Sequence, residues 1–243
     1  MAQSPDGIVH LAPTDRRWGL PRPSIIAIDG PVAAGKTAVG TQLAHQMGYR
    51  FIDTGSMYRA ITWAALRDQV EPEDEAGLTA LAHRVQIEVA PSDGLTGPRI
   101  RIDGVDVTGE LRTRVVEQGV SLVSRFSQVR QAMVYRQRAL AQEGRIIMAG
   151  RDIGTVVLPD ADLKIFLTAS SGERARRRYR EMEEMGQSPE FARVLEDLLK
   201  RDKLDIERAN SPLRPGDDAH IIDTDHIDLA QVVERILALM EDG

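Results

Sequence analysis

Cysteine is absent from all 243 residues. That excludes a disulfide framework, a thiolate metal site and a cysteine nucleophile, and permits a reducing compartment without proving one. No apolar run approaches the roughly 18 residues of a membrane span, and MAQSPDGIVHLAPTDRRWGLPRPS lacks the apolar segment of a signal peptide. A soluble, cytoplasmic protein with no membrane partner is expected. Lysine is scarce: Lys36, Lys164, Lys200 and Lys203 are four of the 31 basic side chains, and the other 27 are arginine. Guanidinium forks suit phosphate and carboxylate, although a base-composition bias in the coding sequence explains the same asymmetry. The net charge of −6 supplies no overall basic field for duplex nucleic acid. The five histidines, His10, His45, His83, His220 and His226, have no ligand spacing.

What is present is ordinary globular composition, 42% apolar and 28% charged, in a chain long enough for one large domain or two small ones. Residues 1–23 carry Pro5, Pro13, Pro21 and Pro23 with little periodicity and read as a flexible extension. The apolar run SIIAID follows, bounded by Pro23 and Gly30, and then Val39, Leu43 and Met47 recur at helical spacing. Further short apolar runs at YRFID, RIIMAG, LKIFLTA and HIIDTD alternate with helical segments, of which SGERARRRYREMEEM and LAQVVERILALM are the clearest. Five strands so separated predict an α/β fold with a parallel, doubly covered sheet. Residues 85–108 instead alternate with period two, and Asp103-Gly104 forms a two-residue turn, so a small antiparallel sheet is expected between the second and third main strands, beside the site and outside the core.

Gly30-Pro31-Val32-Ala33-Ala34-Gly35-Lys36-Thr37 fits GxxxxGK[ST] directly after a strand and at the opening of a helix. In that context backbone N–H groups and a helix N-terminus surround an anion, the lysine reaches the outer phosphates of a nucleoside triphosphate such as ATP, and Thr37 offers its hydroxyl to Mg²⁺. A guanine-reading NKxD segment is missing, which argues against a GTPase switch, and the chain is small for a motor ATPase. A small-molecule kinase fits best. Asp53-Thr54-Gly55 also matches the catalytic triplet of an aspartic protease, but that chemistry needs two such carboxylates on all-β lobes. Here the triplet reads as the carboxyl end of a parallel strand, where ligands bind, with Arg59 placed one turn on to hold a second phosphate.

The segments IDGPVAAGKT, FIDTGSMYR, SQVRQAMVYRQR, GRDIGTVVLPDADLKIFL and RDKLDIERANSPL, in this order along residues 24–240, resemble the bacterial cytidylate kinases. The resemblance implies a P-loop nucleoside monophosphate kinase that makes CDP from CMP (and dCDP from dCMP) with ATP and Mg²⁺. It implies one kinase domain over 24–243, with core segments 24–55, 119–170 and 210–243, an acceptor-binding insert over about 56–118 and a helical lid over about 171–190. Gly30 to Ala38 then resembles the ATP-phosphate loop; Thr54, Arg59 and Arg151 resemble contacts at the CMP phosphate. Ser121, Arg130 and Asp152 resemble the cytosine readers, and Arg201, Asp205 and Arg208 resemble residues at the sugar and phosphate. A monomer acting on small nucleotides is expected.

The chemistry of the base agrees with those roles, because cytosine offers an N4 amino donor beside two acceptors. Uracil would set an O4 acceptor against Asp152, so CMP and dCMP are expected to be preferred over UMP. The plainer alternative for Asp152 is an ion pair with Arg151. In SSGERARRRYR, Arg174, Arg176, Arg177, Arg178 and Arg180 crowd one helix start. A solvated charged face explains such a run, but mutual repulsion also suits a segment that receives a triphosphate. Arg176 and Arg180 are the expected phosphate contacts, acting with Lys36 and Arg151 in catalysis.

Two places depart from the family's common pattern, at three residues. Val32 and Ala33 stand where serine and glycine often occur, and Ala149 stands where an acid often precedes Gly-Arg-Asp. Asp29 is a candidate substitute acid or else a backbone cap. A kinase for another acceptor such as UMP, or a nucleotide-binding regulatory module with degenerate catalysis, stays open as an alternative.

Overall fold

The computed structural model describes residues 23–90 and 97–241. Apart from Pro23, the expected N-terminal extension lies outside the described residues, as do residues 91–96 of the alternating region. Strand β1 (Ile25–Asp29) leads through the glycine loop into α1 (Lys36–Met47), followed by β2 (Arg50–Asp53), α2 (Thr54–Arg67) and α3 (Glu75–Arg84). Strands β3 (Ile87–Ala90), β4 (Arg99–Ile102) and β5 (Val105–Asp106) come next, then a 3₁₀ turn over Thr108–Arg112, α4 (Arg114–Val123) and α5 (Ser127–Ala141). Strand β6 (Ile146–Gly150) enters a π-helical turn over Ile153–Val157 before β7 (Leu163–Thr168). Helices α6 (Ser171–Glu184) and α7 (Phe191–Glu207), strand β8 (His220–Asp223) and α8 (Leu229–Leu239) complete the order.

The main sheet has five strands in the order β2-β6-β1-β7-β8, all parallel. The five expected apolar runs are its five strands. Ile26, Ala27 and Ile28 of β1 and Ile146, Ile147 and Met148 of β6 are fully buried, as continuous apolar runs must be when helices cover both faces. One apolar cluster packs α1 and α8 on one face, through Val39, Leu43, Val233 and Ile236. The other joins α2, α3, α4 and α5 to the opposite face. The register sets Asp29 opposite Gly150 and Asp53 opposite Ala149, so the carboxyl ends of β1, β2 and β6 lie level.

Strands β3, β4 and β5 form the expected antiparallel sheet, and Asp103 and Gly104 turn the β4–β5 hairpin with φ of 50° and 80°. One expectation is corrected: this sheet is not outside the core. Arg99-Ile100-Arg101-Ile102 alternates, and its apolar face buries Ile100 and Ile102 in the same cluster as Ile61 of α2 and Met148 of β6. A two-sided hairpin needs such cover to persist. No helix among the described residues is long and apolar enough to cross a membrane.

Candidate active site

The glycine loop sits at the carboxyl end of β1. Gly30 has φ of 147°, and a Cβ there would lie 2.1 Å from the carbonyl oxygen of Leu167, so only glycine lets the chain leave the sheet on this course. Helix α1 starts at Lys36 without a side-chain cap, which leaves its first N–H groups open toward an anion. Lys36 is buried and donates from Nζ to the carbonyl oxygen of Pro31 at 2.6 Å. Burial first, and then the nearby Arg151, push its pKa well below that of an ordinary lysine, against the opposing pull of Asp53 and Asp29. A cation held this way gains most from an incoming polyanion.

Across from the loop, Asp53 caps α2. Its carboxylate accepts from the Gly55 N–H at 2.9 Å, the Ser56 hydroxyl at 3.0 Å and Arg59 at 3.0 Å. Burial works against this charge, but Arg59 foremost and the Ser56 bond hold the carboxyl below its usual range. The triplet that imitates a protease site is therefore a helix cap. Thr54 donates to the carbonyl oxygen of Ala149 at 2.9 Å, so its hydroxyl ties α2 to β6. Gly150 must lack a side chain here, since a Cβ would stand 2.6 Å from Thr54 Oγ1. A cleft lined by Thr37, Asp53, Ser56 and Arg59 opens between loop and α2, and Gly97, Pro98 and Arg112 of the insert close its far side.

The segment after β6 supplies the third wall. Asp29 accepts from the N–H of Ile153 at 2.8 Å and of Gly154 at 2.7 Å, which pins this segment to the end of β1. Burial pushes the Asp29 carboxyl up to about 6 although both backbone bonds favour its ionised form. Asp29 is thus the backbone cap among the two readings the sequence allows. Asp152 pairs with Arg130 of α5 at 2.5 Å and with Arg208, at the end of α7, at 3.5 Å. Arg151 turns instead to Asp205 of α7 at 2.7 Å, so the simple Arg151–Asp152 pair does not form. Adjacent residues leaving a strand point to opposite sides, and each finds its own partner. Arg208 also approaches Asp205 at 4.0 Å.

Ser121 on α4 is half-buried and its hydroxyl makes no hydrogen bond among the described residues. Arg201 pairs with Glu117 of α4 at 3.3 Å. On the arginine-rich helix α6 the side chains divide between solvent and the loop. Arg176 is exposed and pairs with Glu173, and Arg180 is exposed, whereas Arg177 reaches to within 3.9 Å of a Cβ placed on Gly35. Nor do these arginines simply repel one another. Arg174 is buried against Asp202 at 2.7 Å and Arg177 pairs with Glu173 at 3.2 Å, while Arg178 pairs with Glu181 at 2.8 Å. Glu173 and Glu181 of the same helix and the remote Asp202 of α7 neutralise them, and only the last is a partner that a run of letters does not reveal.

Sequence reasoning passed over Tyr58 and Gln137. Both are buried, and the guanidinium of Arg130 lies 5.4 Å from the centroid of the Tyr58 ring. Burial pushes the Tyr58 hydroxyl up to about 12. The signal was available in part: Tyr58 precedes Arg59 in α2, and Gln137 stands two turns after Arg130 on α5.

A family model described as cytidylate kinase matches residues 26–242. The chain belongs to the cytidylate kinase family. Among proteins named cytidylate kinase, that of Bacillus velezensis is 47% identical over 216 residues, covering 89% of this chain and 96% of its own. That of Caldanaerobacter subterraneus is 46% identical over 211 residues, covering 87% and 92%, and that of Bacillus subtilis is 45% identical over 216 residues, covering 89% and 96%. Membership in the cytidylate kinase family spans the phosphate loop, the insert and the segment after β6 together, and it does not favour the regulatory-module alternative.

Proposed function

We propose that this protein transfers the γ-phosphoryl group of ATP to CMP and dCMP, giving ADP and the nucleoside diphosphate. The observation that carries the reading is a set of buried donors at the acceptor region: Arg59 Nε and Arg130 Nε have no hydrogen-bond partner among the described residues, and one Arg208 amino group has only its ion-pair contact to Asp152 at 3.5 Å. Buried guanidinium donors left open cost free energy unless a ligand completes them. A phosphate monoester between Arg59, Arg151 and Arg208, and a pyrimidine against Arg130 and Asp152, would complete them.

In this reading residues 30–38 hold the triphosphate, and the insert over 56–118 and the lid over 171–190 enclose the two nucleotides. The acceptor phosphate has its second pKa near 6 and is largely ionised at neutral pH, so no general base is required. Catalysis is alignment plus neutralisation of the transferring group. Lys36 exchanges its bond to Pro31 for the outer phosphates. Arg59, Arg151 and Arg208 hold the acceptor in line, with Thr54 at the junction. Arg201 and Asp205 bound the sugar, and Ser121, Arg130 and Asp152 read the base. Arg176 and Arg180 reach the phosphates once the lid closes, joining Arg177 near Gly35. Among the described residues no group of three acidic or histidine side chains would hold a cation unaided. The Thr37 hydroxyl would be the protein ligand of Mg²⁺ arriving on the nucleotide. Bound there, the ion would add positive charge that offsets the charge of the transferring group.

The same reading makes the protein a cytoplasmic monomer of pyrimidine nucleotide metabolism. A coupled ADP-release assay with CMP, dCMP, UMP or no acceptor tests it. Rapid release with CMP and dCMP, slow release with UMP and almost none without acceptor is expected; equal release in all four would overturn it.

A further inference from the structure

Glu117 of α4 is mostly enclosed, its side chain 18% exposed, and it faces arginines from several elements. Its Oε2 lies 3.3 Å from Arg201 of α7 and 3.5 Å from Arg178 of α6. Arg59 of α2 and Arg112 of the 3₁₀ turn add to the positive field on it, enough to hold its carboxyl below the usual range although burial acts the other way. Arg201 is the counterpart: burial, then the neighbouring Arg151, lower its pKa, as expected where guanidinium groups crowd. Glu181 of α6 pairs with both Arg112 and Arg178 and brings a second carboxylate to the cluster. Asp53 also holds Arg59 at 3.0 Å, so three carboxylates face four guanidinium groups and one positive charge is in excess, beside the cleft that Arg59 and Arg112 line.

We propose that Glu117 is a built-in competitor for the substrate's phosphate, a carboxylate that neutralises the Arg59, Arg112, Arg178 and Arg201 cluster in the empty protein and weakens its hold on a phosphate monoester. The inference rests on the reading of Arg59 and Arg201 as contacts to the acceptor nucleotide. A carboxylate carries one negative charge and two oxygens, against a charge of about −1.5 to −2 and three oxygens on a phosphate monoester. The phosphate therefore prevails, at an affinity lower than the same cluster would give without Glu117. The pairing also joins α4, next to the insert, to α6 and α7, so the empty cleft is bridged by the group that the nucleotide must outcompete. Weaker retention of the diphosphate product is the benefit to turnover, since product release often limits such enzymes.

Glu117→Gln removes the charge and keeps the shape. Calorimetric titration of the full chain with CMP, with inorganic phosphate and with cytidine is expected to show CMP and phosphate bound about 3- to 10-fold more tightly by the variant, and cytidine bound equally. KM for CMP should fall by a similar factor while kcat stays level or falls. Unchanged or weaker phosphate and CMP binding would assign Glu117 to holding the arginines in place and refute competition. Should Glu117→Gln fail to fold, Glu117→Asp keeps the charge on a shorter stem. Inorganic phosphate must then raise its melting temperature more than it raises that of the unmodified protein, and an equal or smaller rise sinks the idea. The inorganic phosphate arm reads the cluster by itself, so a protein that failed to phosphorylate CMP would count against the proposed function and leave this inference standing or falling separately.

Discussion

Asp152→Asn separates recognition of the base from retention of the nucleotide. The Asp152 and Arg130 side chains are 7% and 6% exposed and stand 2.5 Å apart, with Arg208 3.5 Å from the same carboxylate. Asparagine keeps the shape and one acceptor oxygen but gives up the charge that Arg130 and Arg208 share. A base amino group then meets an amide that can also rotate to present donors, which suits the O4 of uracil. Loss of a charged hydrogen-bond partner in a buried site is worth about 1 to 3 kcal/mol, so the ratio of kcat/KM for CMP over UMP should fall between about 5-fold and about 150-fold. Most of that change should come from CMP. Breaking a buried pair leaves a guanidinium uncompensated and costs up to about 3 to 5 kcal/mol of stability when the partner is deleted outright. The assay therefore belongs at a temperature below the variant's melting transition. The double variant Arg130→Gln/Asp152→Asn recovers much of the stability by neutralising both members, and it should not recover discrimination. A variant that folds and keeps the original CMP to UMP ratio would refute the role of Asp152.

Lys36→Ala should lower phosphoryl transfer by about a hundredfold or more while melting no earlier than the unmodified protein, because the empty site gives this buried ammonium one carbonyl partner and a repelling Arg151; circular dichroism and the ADP assay check the two halves. Asp29→Asn tests a linkage. The folded-state pKa of Asp29, about 6, lies above the ordinary 3.8, so the folded protein holds more protons than the unfolded chain between those values. Stability from this group is present below pH 4 and is lost as pH rises to 6, a change of about 3 kcal/mol in the limit. Melting curves at pH 4 and pH 7 should move in the variant's favour at the higher pH, and a difference independent of pH would count against the shift.

Much of this architecture was legible because local signals agreed with tertiary ones. Each main strand is a short continuous apolar run, and each lies where both faces are covered. The Asp103-Gly104 turn announced its hairpin because few residue pairs adopt that backbone so readily. Arg130 and Asp152, 22 residues apart in the chain, were matched through family resemblance and then found in contact. What stayed hidden depends on helix phase and on partners remote in sequence. On α6, Arg174 and Arg178 are one turn apart and face inward, whereas Arg176 and Arg180, also one turn apart, face solvent. The buried Ala175 beside Arg174 was the clue to that phase. Asp202 and Glu117 could not be assigned as partners because nothing local specifies which helices meet. The cover over Ile100 and Ile102 was misjudged for the same reason: alternation says that one face is buried, and it does not say under what.

Asp29 fastens the turn that carries Arg151 and Asp152 to the strand that feeds the phosphate loop. The phosphate loop and the turn that bears Arg151 and Asp152 thus grow from neighbouring rails of one sheet, β1 and β6, about 4.8 Å apart. The helices around that frame can vary in sequence and packing, while the strands that carry the two loops keep this spacing.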